Sequence, residues 1–71
     1  MNINQWNLEG MTVSGKYMDK YHVTGKVEIS RVAYGGWVKH HVVLDTPVEV
    51  YGAVRDRVIL EHKLIEQVWS N

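Results

Sequence analysis

The sequence predicts an all-β fold, a small antiparallel barrel of about five strands. Valine is the commonest residue, at twelve of 71 positions, and β-branched and aromatic side chains favour strands. Apolar and polar residues alternate with period two over several segments, as they do in half-buried strands. A Gly-Gly pair between two such segments is a strong hairpin signal, because both glycines can adopt positive φ.

The first strand is predicted over residues 11–17, where Val13 and Tyr17 alternate with polar residues. Residues 18–20 then turn the chain. Because the alternation places apolar side chains on one face only, we expect this strand to have one buried and one solvated face.

The second predicted strand is long, over residues 21–34, with Val23, Val27 and Ile29 on its inward face. Gly25 falls on that same face. A missing side chain there allows the strand to bend sharply or a partner strand to cross closely.

The Gly-Gly pair predicts a hairpin with a two-residue loop, Gly35 and Gly36. This register sorts the apolar residues of both strands onto one face, and a shift of one residue would scramble the sorting. It pairs Tyr34 with Trp37, Ala33 with Val38, Arg31 with His40, Ile29 with Val42, and Val27 with Leu44.

The second half of the chain contains shorter predicted elements. Residues 45–47, Asp-Thr-Pro, indicate a turn, followed by a strand over 48–51. Residues 52–57 fit either a turn or a bend inside one continued strand, and 58–61 form a clear strand. The segment "KLIEQVW" is too short for an independent helix and predicts one helical turn followed by a short strand.

Together these elements predict a single domain over residues 1–71, an SH3-like or similar small barrel. Closure into a barrel would remove the exposed strand edges that otherwise promote aggregation. A short helical turn is expected near either terminus. At the N-terminus, Ile3 and Trp6 have helical spacing and would pack such a turn against the barrel.

Composition excludes several classes of protein. No cysteine is present, so disulfides and thiolate zinc sites are absent. Eight basic and eight acidic side chains cancel, which disfavours sequence-blind binding to duplex nucleic acid. No apolar run approaches the ~20 residues of a membrane span, and no signal peptide is evident, so the sequence predicts a cytoplasmic protein without membrane contact.

The residues that carry catalysis or bind metals form no convincing motif, so we predict no enzyme, no metal and no cofactor. His40 and His41 are adjacent on a strand and point to opposite faces, so they cannot grip one ion together. A metal site would require His22 or His62 brought close, plus a carboxylate from Glu28 or Glu61. No nucleophile elbow surrounds Ser14 or Ser30.

Aromatic and basic residues gather at two predicted turn regions. The Gly-Gly hairpin and the segment "VYGAVRDRV" both place a Tyr-Gly step near arginine. Aromatic rings stack on bases, arginine forks suit phosphate and histidines donate hydrogen bonds. The alternative is structural, since aromatic pairs across a hairpin stabilise sheets without any ligand. The candidate ligand-binding residues are Arg31, Tyr34, Trp37, His40, His41, Tyr51, Arg55 and Arg57.

Self-association is also predicted. Val32 and Val43 fall on the outer face of the hairpin, near Tyr34 and Trp37. An exposed apolar cluster is usually covered, and a second copy would cover it while stabilising a domain that is short of core. A cleft between identical subunits would present each arginine more than once, which suits a symmetric, multiply charged ligand.

The segment from Val23 to Leu60 resembles short uncharacterised proteins encoded by tailed phages. The resemblance rests on the pattern "SRV-YGG-V-H-V-LD-P--VYG-VR" within residues 30–55 and covers about half of the chain. It implies a small accessory protein acting in the cytoplasm of an infected host cell. Phages use small oligomeric proteins against host defence, some of them as sponges that capture cyclic-nucleotide signals.

The sequence therefore predicts a non-enzymatic binding protein, a homo-oligomeric small barrel that holds a nucleotide or a short single-stranded nucleic acid. A phage anti-defence sponge for cyclic nucleotides is the most specific form of this hypothesis. The alternative is a protein-interaction module that inhibits a host enzyme through an aromatic-centred surface.

Overall fold

The computed structural model describes residues 6–70, which form one five-stranded antiparallel sheet. The fold is therefore all-β, as predicted. The strands are β1 (Thr12–Tyr17), β2 (Tyr21–Val32), β3 (Val38–Val50), β4 (Ala53–Glu61) and β5 (Ile65–Trp69). One turn of 3-10 helix, η1 (His62–Leu64), joins β4 to β5, which confirms the predicted helical turn followed by a short strand. None of the described residues belongs to a helix long and apolar enough to span a bilayer.

The strands are hydrogen-bonded in the order β4-β3-β2-β1-β5. The chain meanders from β1 to β4, and β5 then returns to pair with β1. No ladder joins β4 to β5 among the described residues, so the predicted closed barrel is not confirmed. The sheet nevertheless curls, because β1 and β4 come close together without sharing a ladder.

The inner surface of the curled sheet holds the apolar core. Every strand contributes at least one buried side chain to it, and the segment before β1 contributes Leu8. This distribution accounts for the period-two alternation of the sequence. The core residues are Leu8, Val13, Val23, Val27, Val42, Leu44, Val58, Leu60 and Ile65.

Gly25 lies where β2 and β3 cross most closely. A Cβ built on this residue would stand 2.2 Å from the carbonyl oxygen of Val43 and 2.8 Å from the Cα of Leu44. Only glycine fits such an approach, so the predicted close crossing is confirmed.

The hairpin between β2 and β3 forms where it was predicted, but its predicted register is wrong. Val32 pairs with Val38 and Arg31 with Lys39, so the loop has three residues, Tyr34, Gly35 and Gly36. The amide of Gly36 donates to the Ala33 carbonyl at 3.0 Å, and Gly35 has φ of +88°, as the third position of a type II turn requires. The predicted pairs of Tyr34 with Trp37 and Arg31 with His40 are therefore absent.

A β-bulge at Glu28 then changes the register again, so that Ile29 pairs with His41 and Val27 with Val42. Beyond the bulge the apolar residues return to the inner face. The predicted faces of Val27, Val42 and Leu44 are therefore correct, although their predicted pairing partners are wrong. Between the bulge and the loop, β2 is reversed: Ser30 points inward, while Ile29 and Arg31 point outward.

The predicted turn at residues 45–47 is instead part of β3, which runs on to Val50. In the ladder between β3 and β4, Val43 pairs with Arg57 and Val48 with Arg55. The four residues 44–47 of β3 therefore lie opposite a single residue of β4, Asp56. This irregularity bends the strand without ending it. The chain reverses at Tyr51 and Gly52, whose φ values of +50° and +80° fit a two-residue type I′ loop, and β4 starts directly after it.

The predicted N-terminal turn through Ile3 and Trp6 lies partly outside the described residues, which include Trp6 alone of the two. Leu8 is buried and its amide donates to the Ser30 hydroxyl at 2.9 Å, so the segment before β1 contacts the sheet.

Candidate functional site on the outer face of the sheet

Three rows of side chains cross β2, β3 and β4 on the surface that is turned away from the core. Their outward direction follows from the alternation, since the residues next to them along β3 and β4, such as His40, Val42, Val58 and Leu60, are buried. In strand order the rows are Lys26, Val43 and Arg57; Ile29, His41 and Ile59; and Arg31, Lys39 and Glu61. These nine residues, with Glu28 and Arg55 beside them, are the outer basic face.

The outer basic face concentrates positive charge in a chain whose formal net charge is zero. Five of the eight Lys and Arg residues are found there, against two of the eight Asp and Glu residues. Such a separation creates a local positive potential that attracts anions although the whole molecule is neutral.

An open cavity of about 280 Å³ lies within this face and is lined by Glu28, His41, Arg55, Arg57 and Ile59, among others. A second, adjacent cavity of about 420 Å³ shares His41 and Ile59 and extends to Arg31 and Lys39. His41 therefore stands between two groups of cations. The combined groove brings together four of the eight candidate residues, namely Arg31, His41, Arg55 and Arg57.

One ion pair crosses the groove: Nη1 of Arg57 donates to Oε1 of Glu28 at 3.3 Å. Both side chains are about half exposed or more, and exposed pairs of this kind contribute about 0–1 kcal/mol. A phosphate could therefore replace Glu28 as the partner of Arg57 at little cost.

The aromatic candidates do not converge on the arginines. Tyr34 is fully exposed in the β2–β3 loop, and Tyr51 is 80% exposed in the β3–β4 loop. Trp37 lies two residues before Lys39 along the chain, beyond the last row of the outer basic face, and Nζ of Lys63 stands 5.5 Å from its ring centroid. Trp37 is thus the one predicted ring at the border of the groove.

His40 points to the opposite side of the sheet and is fully buried. Its Nδ1 lies 2.7 Å from Oγ of Ser30, and its Nε2 lies 2.8 Å from Nδ1 of His62. The sequence-based proposal that His40 contacts a ligand requires an exposed ring, and the structure instead places it in a buried polar chain.

The direction of the hydrogen bonds in this chain follows from the available donors. Oγ of Ser30 accepts from the Leu8 amide, so its own hydrogen is free to be donated to Nδ1 of His40. His40 then carries its proton on Nε2 and donates to Nδ1 of His62. In the reverse order, the Ser30 hydrogen would have no acceptor among the described residues. This series of hydrogen bonds therefore determines the tautomer of His62, which carries its proton on Nε2.

Burial, and secondarily the nearby His62, lowers the pKa of His40 to about 4 from its ordinary 6.5. Unfolded His40 takes up its proton near pH 6.5, whereas the folded protein resists protonation until about pH 4. We therefore expect stability to be full above pH 6.5 and to fall towards pH 4, by about 3 kcal/mol at ~1.4 kcal/mol per pH unit.

Urea unfolding between pH 7.5 and pH 4 measures this loss. The fall in the free energy of unfolding with decreasing pH is expected to persist in His41→Gln, which alters the outward-facing neighbour. In His40→Gln this pH dependence is expected to disappear. A stability that does not change over this pH range, or an equal slope in both variants, would contradict the assignment.

The same geometry separates Ser30 from hydrolytic chemistry, because its hydroxyl is buried and fully engaged. His62 does lie beside His40, but the two rings are hydrogen-bonded to each other through Nδ1 of His62 and Nε2 of His40. His22 is elsewhere, with its Nε2 3.5 Å from Oε1 of Glu66. Within residues 6–70, no group of three or more His, Asp or Glu side chains is arranged to hold a metal ion.

Sequence reasoning missed Lys26, Lys39, Ser30 and His62. Lys26 and Lys39 carry a detectable signal, because they alternate with buried residues on β2 and β3. Ser30 and His62 carry none, since their contacts with His40 depend on the bulge at Glu28 and on the path of η1.

No protein-family model matches the chain, and neither a curated protein nor a solved structure matches it.

Proposed function

We propose that this chain is a non-enzymatic binding protein that holds a nucleotide-type ligand on the outer basic face. The observation that carries the proposal is that four of the eight cations line two adjacent open cavities, and a fifth, Lys26, lies in the same row as Arg57, in a chain without net charge. A ligand with spaced negative charges, such as a short single strand or a cyclic nucleotide, matches that arrangement.

Groups that bind bases lie beside those that bind phosphates. The His41 ring lies between the isoleucines of the middle row, and Trp37 lines a separate cavity with Glu61, the strand partner of Lys39. From Trp37 to Val43 the outward side chains of β3 cover about 20 Å at ~3.4 Å per residue, enough for several nucleotides. A simple inorganic anion would use none of this apolar surface.

Self-association is part of the proposal. Ile29 and Ile59 are exposed next to the cations, at 38% and 49% of their surface, and Val43 lies in the neighbouring row. Val32, predicted on this face, pairs with Val38 and lies on the opposite side of β2. A second copy laid on this face would bury them and enclose the groove between two sets of arginines. Such a closed site would suit a cyclic nucleotide, and the phage resemblance makes sequestration of a host alarm signal the most specific form of the proposal.

Calorimetric titration tests the proposal with cyclic di- and trinucleotides and with short single-stranded oligonucleotides, at low and high salt. Arg57→Gln is expected to weaken binding at least about tenfold and to reduce its salt dependence, because one phosphate contact is lost. Lys16→Gln, on β1 and away from the face, is the matched control. No heat from any of these ligands at low salt would overturn the proposal.

Removing the acidic partner of Arg57 should strengthen binding. Glu28→Gln keeps the shape of the side chain but deletes a negative charge within the groove and frees the guanidinium. We expect affinity for an anionic ligand to rise about three- to tenfold, an effect that shrinks as salt is added. Glu49→Gln, exposed near the β3–β4 loop, is the control. Unchanged or weaker binding by Glu28→Gln would place the ligand elsewhere.

A second candidate is a protein-interaction module that blocks a host enzyme. The exposed Trp37 supports it, because tryptophan is enriched among the hot spots of protein interfaces. Pull-down from bacterial lysate separates the two functions: a stoichiometric protein partner that survives Arg55→Ala but is lost with Trp37→Ala favours this candidate.

A further inference from the structure

A cavity of about 230 Å³ at the end of the sheet next to the β2–β3 loop combines groups that the groove lacks. It is lined by Gly36, Trp37, Val38, Glu61, His62 and Lys63. Glu61 also belongs to the last row of the outer basic face, opposite Lys39 and next to Arg31 across β3. The cavity therefore lies beside the proposed phosphate-binding surface, since Glu61 lines the cavity and its strand partner Lys39 lines the groove.

His62 presents a fixed donor here. Its Nδ1 is held by the buried His40 at 2.8 Å, and the order of donation along the buried polar chain leaves the proton on Nε2. The two nitrogens of an imidazole point in different directions, so Nε2–H points away from His40. Because His62 lines the cavity and is half-buried, this N–H is available to a ligand carbonyl.

Glu61 presents an acceptor. Its side chain is half-buried, and among residues 6–70 its carboxylate has no ion-pair or hydrogen-bond partner. A partly buried carboxylate without a partner loses hydration that a ligand with N–H donors would restore. Trp37 completes the set, since 60% of its surface is exposed and its indole ring lies beside these polar groups.

We propose that this cavity recognises a guanine base of the nucleotide-type ligand. This inference rests on the proposed function and adds its base specificity. The guanine ring stacks on Trp37, its O6 accepts from Nε2 of His62, and its N1–H and N2–H donate to the Glu61 carboxylate. The phosphate then extends towards Lys39 and Arg31, or contacts Lys63 at the rim of the cavity.

The Nε2–H donor of His62 and the carboxylate acceptor of Glu61 together discriminate against the other bases. Adenine presents a ring nitrogen acceptor where guanine presents N1–H, so its lone pair would face the carboxylate. Cytosine has an acceptor at the equivalent ring position. Uracil has one N–H between two carbonyl groups and satisfies the carboxylate with one donor instead of two. An unpaired polar group in a recognition site is the main source of such discrimination.

Two-dimensional NMR titration of the whole chain with GMP, AMP, CMP and UMP tests the inference. The Trp37 indole and the His62 ring report the cavity, and His41 and Arg57 report the groove. We expect GMP to bind at least about tenfold more tightly than AMP and to shift the Trp37 and His62 signals. Glu61→Gln should remove this preference, while raising AMP affinity by no more than the roughly three- to tenfold expected from deleting one negative charge beside Lys39, and Glu49→Gln should change neither. The spectrum of each unliganded variant verifies that it is folded.

Three outcomes decide the matter. A guanine preference that Glu61→Gln abolishes supports the inference. Equal affinity for the four nucleotides, with shifts at His41 and Arg57, overturns the guanine site but leaves the proposed function in place. Absence of binding by any nucleotide, cyclic nucleotide or oligonucleotide overturns both.

Discussion

Gly25→Ala is expected to unfold the protein or to lower its free energy of unfolding by more than about 3 kcal/mol. The added methyl would stand 2.2 Å from the Val43 carbonyl oxygen and 2.8 Å from the Leu44 Cα. Both are backbone atoms of a central strand paired on both sides, so relief requires β2 and β3 to separate. Urea denaturation followed by circular dichroism measures the loss of stability. A narrow spread of amide chemical shifts in the NMR spectrum identifies a variant that does not fold.

Gly36→Ala is the matched control for this prediction. Gly36 has φ of +85° but nothing within 4 Å of a built Cβ, so alanine there costs only the backbone strain of about 1–2 kcal/mol. Equal destabilisation by the two substitutions would contradict the steric account of the crossing between β2 and β3.

His40→Ala is the second substitution with a large expected effect, a loss of about 3–5 kcal/mol. It empties a fully buried site and removes the partner that joins Ser30 to His62. A domain of this length has a total stability of roughly 4–11 kcal/mol at ~0.05–0.15 kcal/mol per residue, so the loss is a large fraction of the total. Urea denaturation followed by circular dichroism measures this loss as well.

The neighbouring residue gives the comparison. His41→Ala removes a ring that points away from the core, and we expect it to cost less than about 1 kcal/mol. It should instead weaken ligand binding, since His41 stands between the two cavities of the groove. A larger stability loss from His41→Ala than from His40→Ala would contradict the assigned faces of β3.

These two histidines show how one strand serves two purposes. His40 holds the inner polar chain that fixes His62, and His41 faces the groove. Because the candidate ligand groups of the groove lie on paired strands and not on loops, their spacing is set by the ladder. The backbone of the proposed binding surface is therefore preorganised, and the conformational entropy lost on binding would come mainly from the arginine and lysine side chains.

The all-β class, the β2–β3 hairpin and most of the apolar strand faces were predictable from the sequence. The alternation around Val23, Val27 and Val42 is local information, because successive side chains of a strand always point to opposite sides. The close approach at Gly25 was likewise predictable, since a glycine on the apolar face of a strand leaves room for a neighbouring backbone. Of the groove, Arg31, His41, Arg55 and Arg57 were candidates by residue type, but their arrangement around one groove was not predicted.

The register, and with it the neighbours of the candidate ligand-binding residues, follows from packing across the whole sheet. A Gly-Gly step accommodates a two-residue or a three-residue loop, because positive φ is available in both. The choice depends on how β2 and β3 fit over the whole inner face, and the bulge at Glu28 restores that fit after the longer loop. The bulge turns Ser30 inward to meet His40 and Arg31 outward to join Lys39, an outcome of packing across strands that no local pattern encodes.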